Sequence, residues 1–140
     1  MKAVIMLSAV ILAAGCTSSG APTAGERARA QAAEDQAGLA AALKGRIAGT
    51  PQDCVSLAEL GGNRSYGREV VVFRGRTDDV VYVNRPLAGC PTLDVGRALK
   101  TRTTTTQLCR GDIVTVFDPV SGTDYGSCSL GAFTPYRRAR

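Results

Sequence analysis

Four cysteines, Cys54, Cys90, Cys109 and Cys128, are the residues of this chain whose type and spacing first promise chemistry. Thiols can pair as disulfides, hold zinc or run redox exchange, and spacing separates these uses. A structural zinc site uses close cysteine pairs about two residues apart, and a redox pair uses C-x-x-C. Here 35, 18 and 18 residues intervene, so two structural disulfides are the expected use, and neither a metal nor a cofactor is expected. Three pairings are open to four cysteines. The favoured one joins the domain ends through Cys54–Cys128 and closes the middle through Cys90–Cys109. Histidine is absent, which removes Ser-His-Asp and Cys-His catalysis and the ordinary general base near neutral pH. Carboxylate chemistry remains. Asp78 and Asp79 are adjacent in a polar stretch suited to a turn, and Asp112 follows Gly111 at a strand entry, where a carboxylate commonly caps nearby amides. Nothing in the sequence brings these three together, so no catalytic residue is assigned.

A fifth cysteine, Cys16, closes Leu12-Ala13-Ala14-Gly15-Cys16 behind a Met-Lys start and an apolar run. The twelve residues Ala3 to Ala14 are too few for a spanning helix, which needs about 20. They suit the h-region of a signal peptide, with small residues before the cut. The stretch resembles the lipobox of bacterial lipoprotein signals, with leucine one position further from the cysteine than usual. That resemblance implies a thioether-linked diacylglyceryl group on Cys16, cleavage just before it, and firm attachment to a membrane through several acyl chains. Thr17 in place of aspartate after the cysteine implies the outer membrane, facing the periplasm. A plain secretory signal would leave the chain in the periplasm.

Removing residues 1–15 leaves 125 residues at formal charge +4, enough for one domain and a tether. An envelope address is oxidising, which agrees with disulfide use. Arginine supplies fourteen of the sixteen remaining basic residues, but no basic block alternates with aromatics, so no nucleic-acid partner is expected. Residues 137–140, Arg-Arg-Ala-Arg, read as a solvated terminus or as a contact for an anionic lipid or glycan.

Residues 16–25 have the composition of a flexible tether. Residues 26–49 are Ala-rich, with Leu39, Leu43 and Ile47 at helical spacing, and read as a helix that ends at Gly49-Thr50-Pro51. Gly38 and Gly45 each weaken it by about 1 kcal/mol relative to alanine. Residues 51–140 read as strands. Glu69 to Arg74 and Val80 to Asn84 form a hairpin, Thr101 to Leu108 and Ile113 to Phe117 follow, and Ser127 to Phe133 ends before Pro135. Gly61 to Gly67 lacks a phosphate-loop pattern and reads as a mobile surface loop. The expected fold is mainly β: a small antiparallel barrel or sandwich of about five strands, stapled by two disulfides and preceded by the Ala-rich helix. Several strands are apolar on both faces, so the helix or closure of the sheet must cover the second face. Tyr66, Tyr82 and Tyr125 are candidates to line a groove or to lie buried with satisfied hydroxyls.

Asp53-Cys54, Tyr82-Val83-Asn84-Arg85-Pro86-Leu87 ahead of Cys90, Leu108-Cys109-Arg110-Gly111-Asp112 and Cys128-Ser129-Leu130-Gly131-Ala132-Phe133 occur together here. Over about residues 52–134 this skeleton resembles an uncharacterised family of small four-cysteine exported proteobacterial proteins, a domain of unknown function. Arg85-Pro86 departs from the usual turn. The resemblance implies a strand-rich disulfide domain and carries no activity. The function expected is a non-enzymatic envelope lipoprotein. It would bind an envelope protein or surface component from the periplasmic side of the outer membrane. An inhibitor of a lysozyme-like periplasmic hydrolase is the alternative, although a positive chain would repel basic lysozymes. A carboxylate-dependent enzyme is the third reading.

Overall fold

The computed structural model describes residues 20–94 and 96–140; Cys16 and the rest of the expected signal lie outside the described residues. Helix α1 (Ala24–Leu43) opens with a capping box. The Thr23 hydroxyl accepts from the Glu26 amide at 3.2 Å and Glu26 Oε2 accepts from the Thr23 amide at 2.7 Å, satisfying two of the amides that a helix start leaves free. The helix stops six residues before the expected 49. Gly45 adopts φ +69°, a left-handed conformation that glycine reaches without a side-chain clash and that ends helices. Ile47, the expected last residue of the apolar stripe, instead lies exposed in strand β1 (Arg46–Ala48).

Nine further strands follow where about five were expected. They are β2 (Cys54–Ser56), β3 (Leu60–Tyr66), β4 (Val70–Gly75), β5 (Val80–Asn84), β6 (Ala98–Thr101), β7 (Gln107–Cys109), β8 (Ile113–Phe117), β9 (Asp124–Ser129) and β10 (Phe133–Arg138), with a 3-10 turn at Leu57–Glu59. The fold is mainly β, as expected, but it is not a closed barrel. It has three antiparallel sheets, ordered β1-β10-β5-β4-β3, β2-β7 and β6-β8-β9.

The hairpin of β4 and β5 explains why both strands are apolar on both faces. Val71, Phe73, Val80 and Tyr82 enter the main core with Val55, Leu99, Leu108, Val114, Val116 and Phe133, drawn from all three sheets. Val70, Val72, Val81 and Val83 form a second core on the opposite face. There Leu39 and Leu43 of α1 cover them with Tyr66 and Tyr136. The helix is therefore the cover for the second face. Its own position depends on Gly38, because a Cβ there would lie 2.8 Å from Tyr66 Cε1.

Three segments depart from expectation. Gly61 to Gly67 is not a loop: most of it is edge strand β3, whose pairing with β4 shifts register between Leu60 and Asn63, at the two glycines. The threonine run divides into β6, a bend and β7, since Thr105 Oγ1 donates to the Gln107 carbonyl at 2.8 Å and Thr103 Oγ1 accepts from the Thr105 amide. Such side-chain bonds compete with a strand ladder. Pro135 does not end the sheet but lies inside β10, opposite Tyr82. Its carbonyl accepts from Gly49, one residue beyond β1. The missing N–H thus falls where the neighbouring strand has run out, a position proline tolerates. Arg137 and Arg138 belong to the same strand and are not a loose tail.

Candidate functional site

All four domain cysteines are bridged, but the favoured pairing is wrong. The bonds are Cys54–Cys109 and Cys90–Cys128. Cys54 and Cys109 are direct partners in the β2–β7 ladder, which brings them together regardless of where the domain ends. Cys90 and Cys128 lie inside the main core, Cys90 fully buried. Register and burial, neither visible in cysteine spacing, decide the connectivity.

The three aspartates are not brought together, and only Asp112 uses its carboxylate in a hydrogen bond to a described residue. Asp112 Oδ2 accepts from the Cys109 amide at 2.7 Å, as a turn cap does. Asp78 and Asp79 occupy the turn between β4 and β5. The Asp78 carbonyl accepts from Arg46 Nη2 at 2.8 Å and from Arg138 Nε at 3.0 Å. Among the described residues no group of three or more His, Cys, Asp or Glu converges as a metal site. The tyrosines separate: Tyr82 is buried with its hydroxyl 3.4 Å from Glu59 Oε2, Tyr66 is half-buried, and Tyr125 lies under the Arg97 guanidinium at 3.7 Å. Burial, followed by the Glu59 charge, raises the Tyr82 pKa above its usual 10.0.

Two neighbouring clefts flank Arg64 and Tyr66. The first, about 440 Å³, lies between α1, β3, Leu93-Asp94 and Gly96-Arg97 and carries Glu34, Asp35 and Asp94 against Arg64 and Arg97. Several of its groups are already engaged: Gln31 donates to Asp35 at 3.2 Å, Arg68 pairs with Asp94 at 3.3 Å, and Arg97 donates to the Thr92 carbonyl. The second, about 450 Å³, lies beyond the C-terminal end of α1 and carries Arg46, Arg64 and Arg74 over Val72 and Val81. Three segments supply these arginines, and sheet register gathers them. Arg64 pairs with Val72 and Arg74 with Val81, so both arginines stand on the face that α1 covers further along. No sequence pattern singles them out, because their spacing acquires meaning only once β3, β4 and β1 share a sheet.

Comparison of the chain with protein-family models, with curated proteins and with solved structures gives no match.

Proposed function

We propose that the chain is a non-enzymatic binding module of the bacterial envelope, held by lipid on Cys16 at the periplasmic side of the outer membrane. The observation that most supports this reading is the pair of disulfides, one of them sealed in the core. Bridges form and persist in oxidising compartments, where the Leu12 to Cys16 signal would deliver the chain. On this reading the tether leads into α1, α1 covers the second face of the sheet, and the clefts along α1 meet the partner, an envelope protein or surface component.

Two measurements test it. Palmitate incorporation should depend on Cys16 and disappear in Cys16→Ser; label that persists in the variant overturns the anchor. Proximity labelling from the intact anchored protein should enrich a partner over an anchor-only control. Recovery no better than that control counts against the binding role.

A further inference from the structure

The cleft beyond the end of α1 gathers more positive charge than the protein neutralises. Arg46, Arg64, Arg74 and Asp78 are the charged residues that line it, for a net +2. Among the described residues none of the three arginines has a carboxylate within ion-pair distance. Neither the Arg64 nor the Arg74 side chain donates a hydrogen bond to a described residue; the Arg64 guanidinium lies 5.5 Å from the Tyr66 ring centre, and Arg74 lies over Gly62. Arg46 is held in place instead. Its Nε donates to the Ala42 carbonyl at 3.2 Å and its Nη2 to the Asp78 carbonyl, while Nη1 is buried with no partner among the described residues. Like charges held together without counter-ions repel. An anion entering the cleft relieves that repulsion.

We propose that this cleft binds the phosphate of a ligand that also carries an apolar portion. Guanidinium groups match phosphate oxygens in paired, charge-assisted hydrogen bonds. Arg64 and Arg74, on two separate strands, can meet several oxygens of one phosphate or diphosphate while Arg46 adds its charge, an arrangement that the two coplanar oxygens of a carboxylate use less fully. The C-terminal pole of a helix repels anions, but the Arg46 charge sits at that end and its Nε already bonds the Ala42 carbonyl. Val72, Val81 and the Tyr66 ring form the apolar wall, and the volume exceeds what phosphate alone fills, within the range of small-molecule sites. The proposal deepens the binding-module reading and rests on it for the chain being a binder; it does not require the lipid on Cys16.

The test uses the intact chain carrying Cys16→Ser, exported to an oxidising periplasm and purified without reductant. Calorimetric titration with inorganic pyrophosphate and co-sedimentation with phosphatidylglycerol or phosphatidylcholine vesicles form its two arms. Arg64→Gln/Arg74→Gln removes the two arginines whose side chains make no hydrogen bond or ion pair to a described residue, and Arg102→Gln/Arg140→Gln removes equal charge elsewhere. Circular dichroism and thermal melts check that each variant folds. Binding in either arm should fall by about tenfold or more in the cleft variant and stay near wild type in the control, as charge-assisted hydrogen bonds require. Pyrophosphate binding alone identifies a soluble phosphate as the source; binding to phosphatidylglycerol alone identifies a lipid headgroup. No binding in either arm, or equal loss in both variants, overturns the proposal. Loss of palmitate label or of the labelled partner, by contrast, bears on the anchor and the binding role, which those measurements read separately.

Discussion

Asn84 and Gly131 exchange a pair of hydrogen bonds in the interior: Asn84 Nδ2 donates to the Gly131 carbonyl at 2.7 Å, and the Gly131 amide donates to Asn84 Oδ1 at 2.9 Å. Asn84 is the one polar residue among the described residues that is buried, with no exposed surface. It closes the end of β5 onto the Leu130 to Ala132 connection between β9 and β10, bonding both backbone groups of Gly131. Glycine is needed opposite it, because a Cβ at position 131 would collide with the Arg85 carbonyl oxygen.

Truncating Asn84 leaves a buried N–H and a buried C=O without partners. Asn84→Ala should therefore cost about 3 kcal/mol in urea unfolding without reductant. Gly131→Ala should cost about 2 kcal/mol through overpacking. A loss below about 1 kcal/mol for Asn84→Ala would show that water replaces the amide and that the bracket is not structural.

The two disulfides should differ in access more than in chain entropy. They close loops of 55 and 38 residues, a difference worth only about 0.3 kcal/mol in the loop-closure treatment. Cys54 and Cys109 are partly exposed, while Cys90 and Cys128 are buried. Limited reduction followed by alkylation should label Cys54 and Cys109 first, since thiol exchange needs access to sulfur. Removing either bridge by paired alanine substitution should cost about 2–5 kcal/mol. Initial labelling at Cys90 or Cys128 would contradict the burial described.

Much of this fold can be read from side-chain pattern, and what escapes depends on tertiary register. Val70 to Phe73 and Val80 to Val83 lack alternation, which correctly demands cover on both faces. Thr23-Ala24-Gly25-Glu26 carries a capping-box pattern that places the helix start two residues before the expected 26. Gly45 is a stop signal easily taken for a weak helical residue, since its role depends on a positive φ. The disulfide connectivity is set by Cys54 lying opposite Cys109 across two three-residue strands too short to recognise alone. The same holds for Asn63, whose amide both donates to the Leu99 carbonyl and accepts from the Leu99 amide, tying β3 to β6. Arg46, Arg64 and Arg74 form a site only after three segments meet, so composition alone shows an arginine-rich chain and no cleft.

Gly38 makes a prediction about the helix. Alanine there would gain about 1 kcal/mol of helix propensity but would press on the Tyr66 ring, and leucine would force the ring aside. Gly38→Leu should loosen α1 from the sheet while leaving the main core intact. Hydrogen exchange should rise across Ala32 to Leu43 and stay low in β5 and β8. Unchanged protection in α1 would mean that Leu39 and Leu43 alone hold the helix.

Tyr82 makes the chain sensitive to alkali in a defined direction. Burial and the Glu59 charge raise its pKa, while Arg137 opposes them. A phenol whose folded pKa exceeds its unfolded value contributes stability that is fully present below the unfolded value of about 10. That contribution is lost as pH climbs through the higher folded value, because the unfolded chain releases the proton first. Tyr82→Phe removes the titration together with the Glu59 hydrogen bond, so it should cost about 1 kcal/mol at neutral pH and lose less stability than wild type as pH rises past 10. Urea unfolding at pH 7, 9 and about 10.5 checks this, with Cys16→Ser in both chains so that no thiolate starts disulfide exchange. Parallel alkaline losses in the two chains would show that folding does not raise the Tyr82 pKa, and that the steepness belongs to other groups.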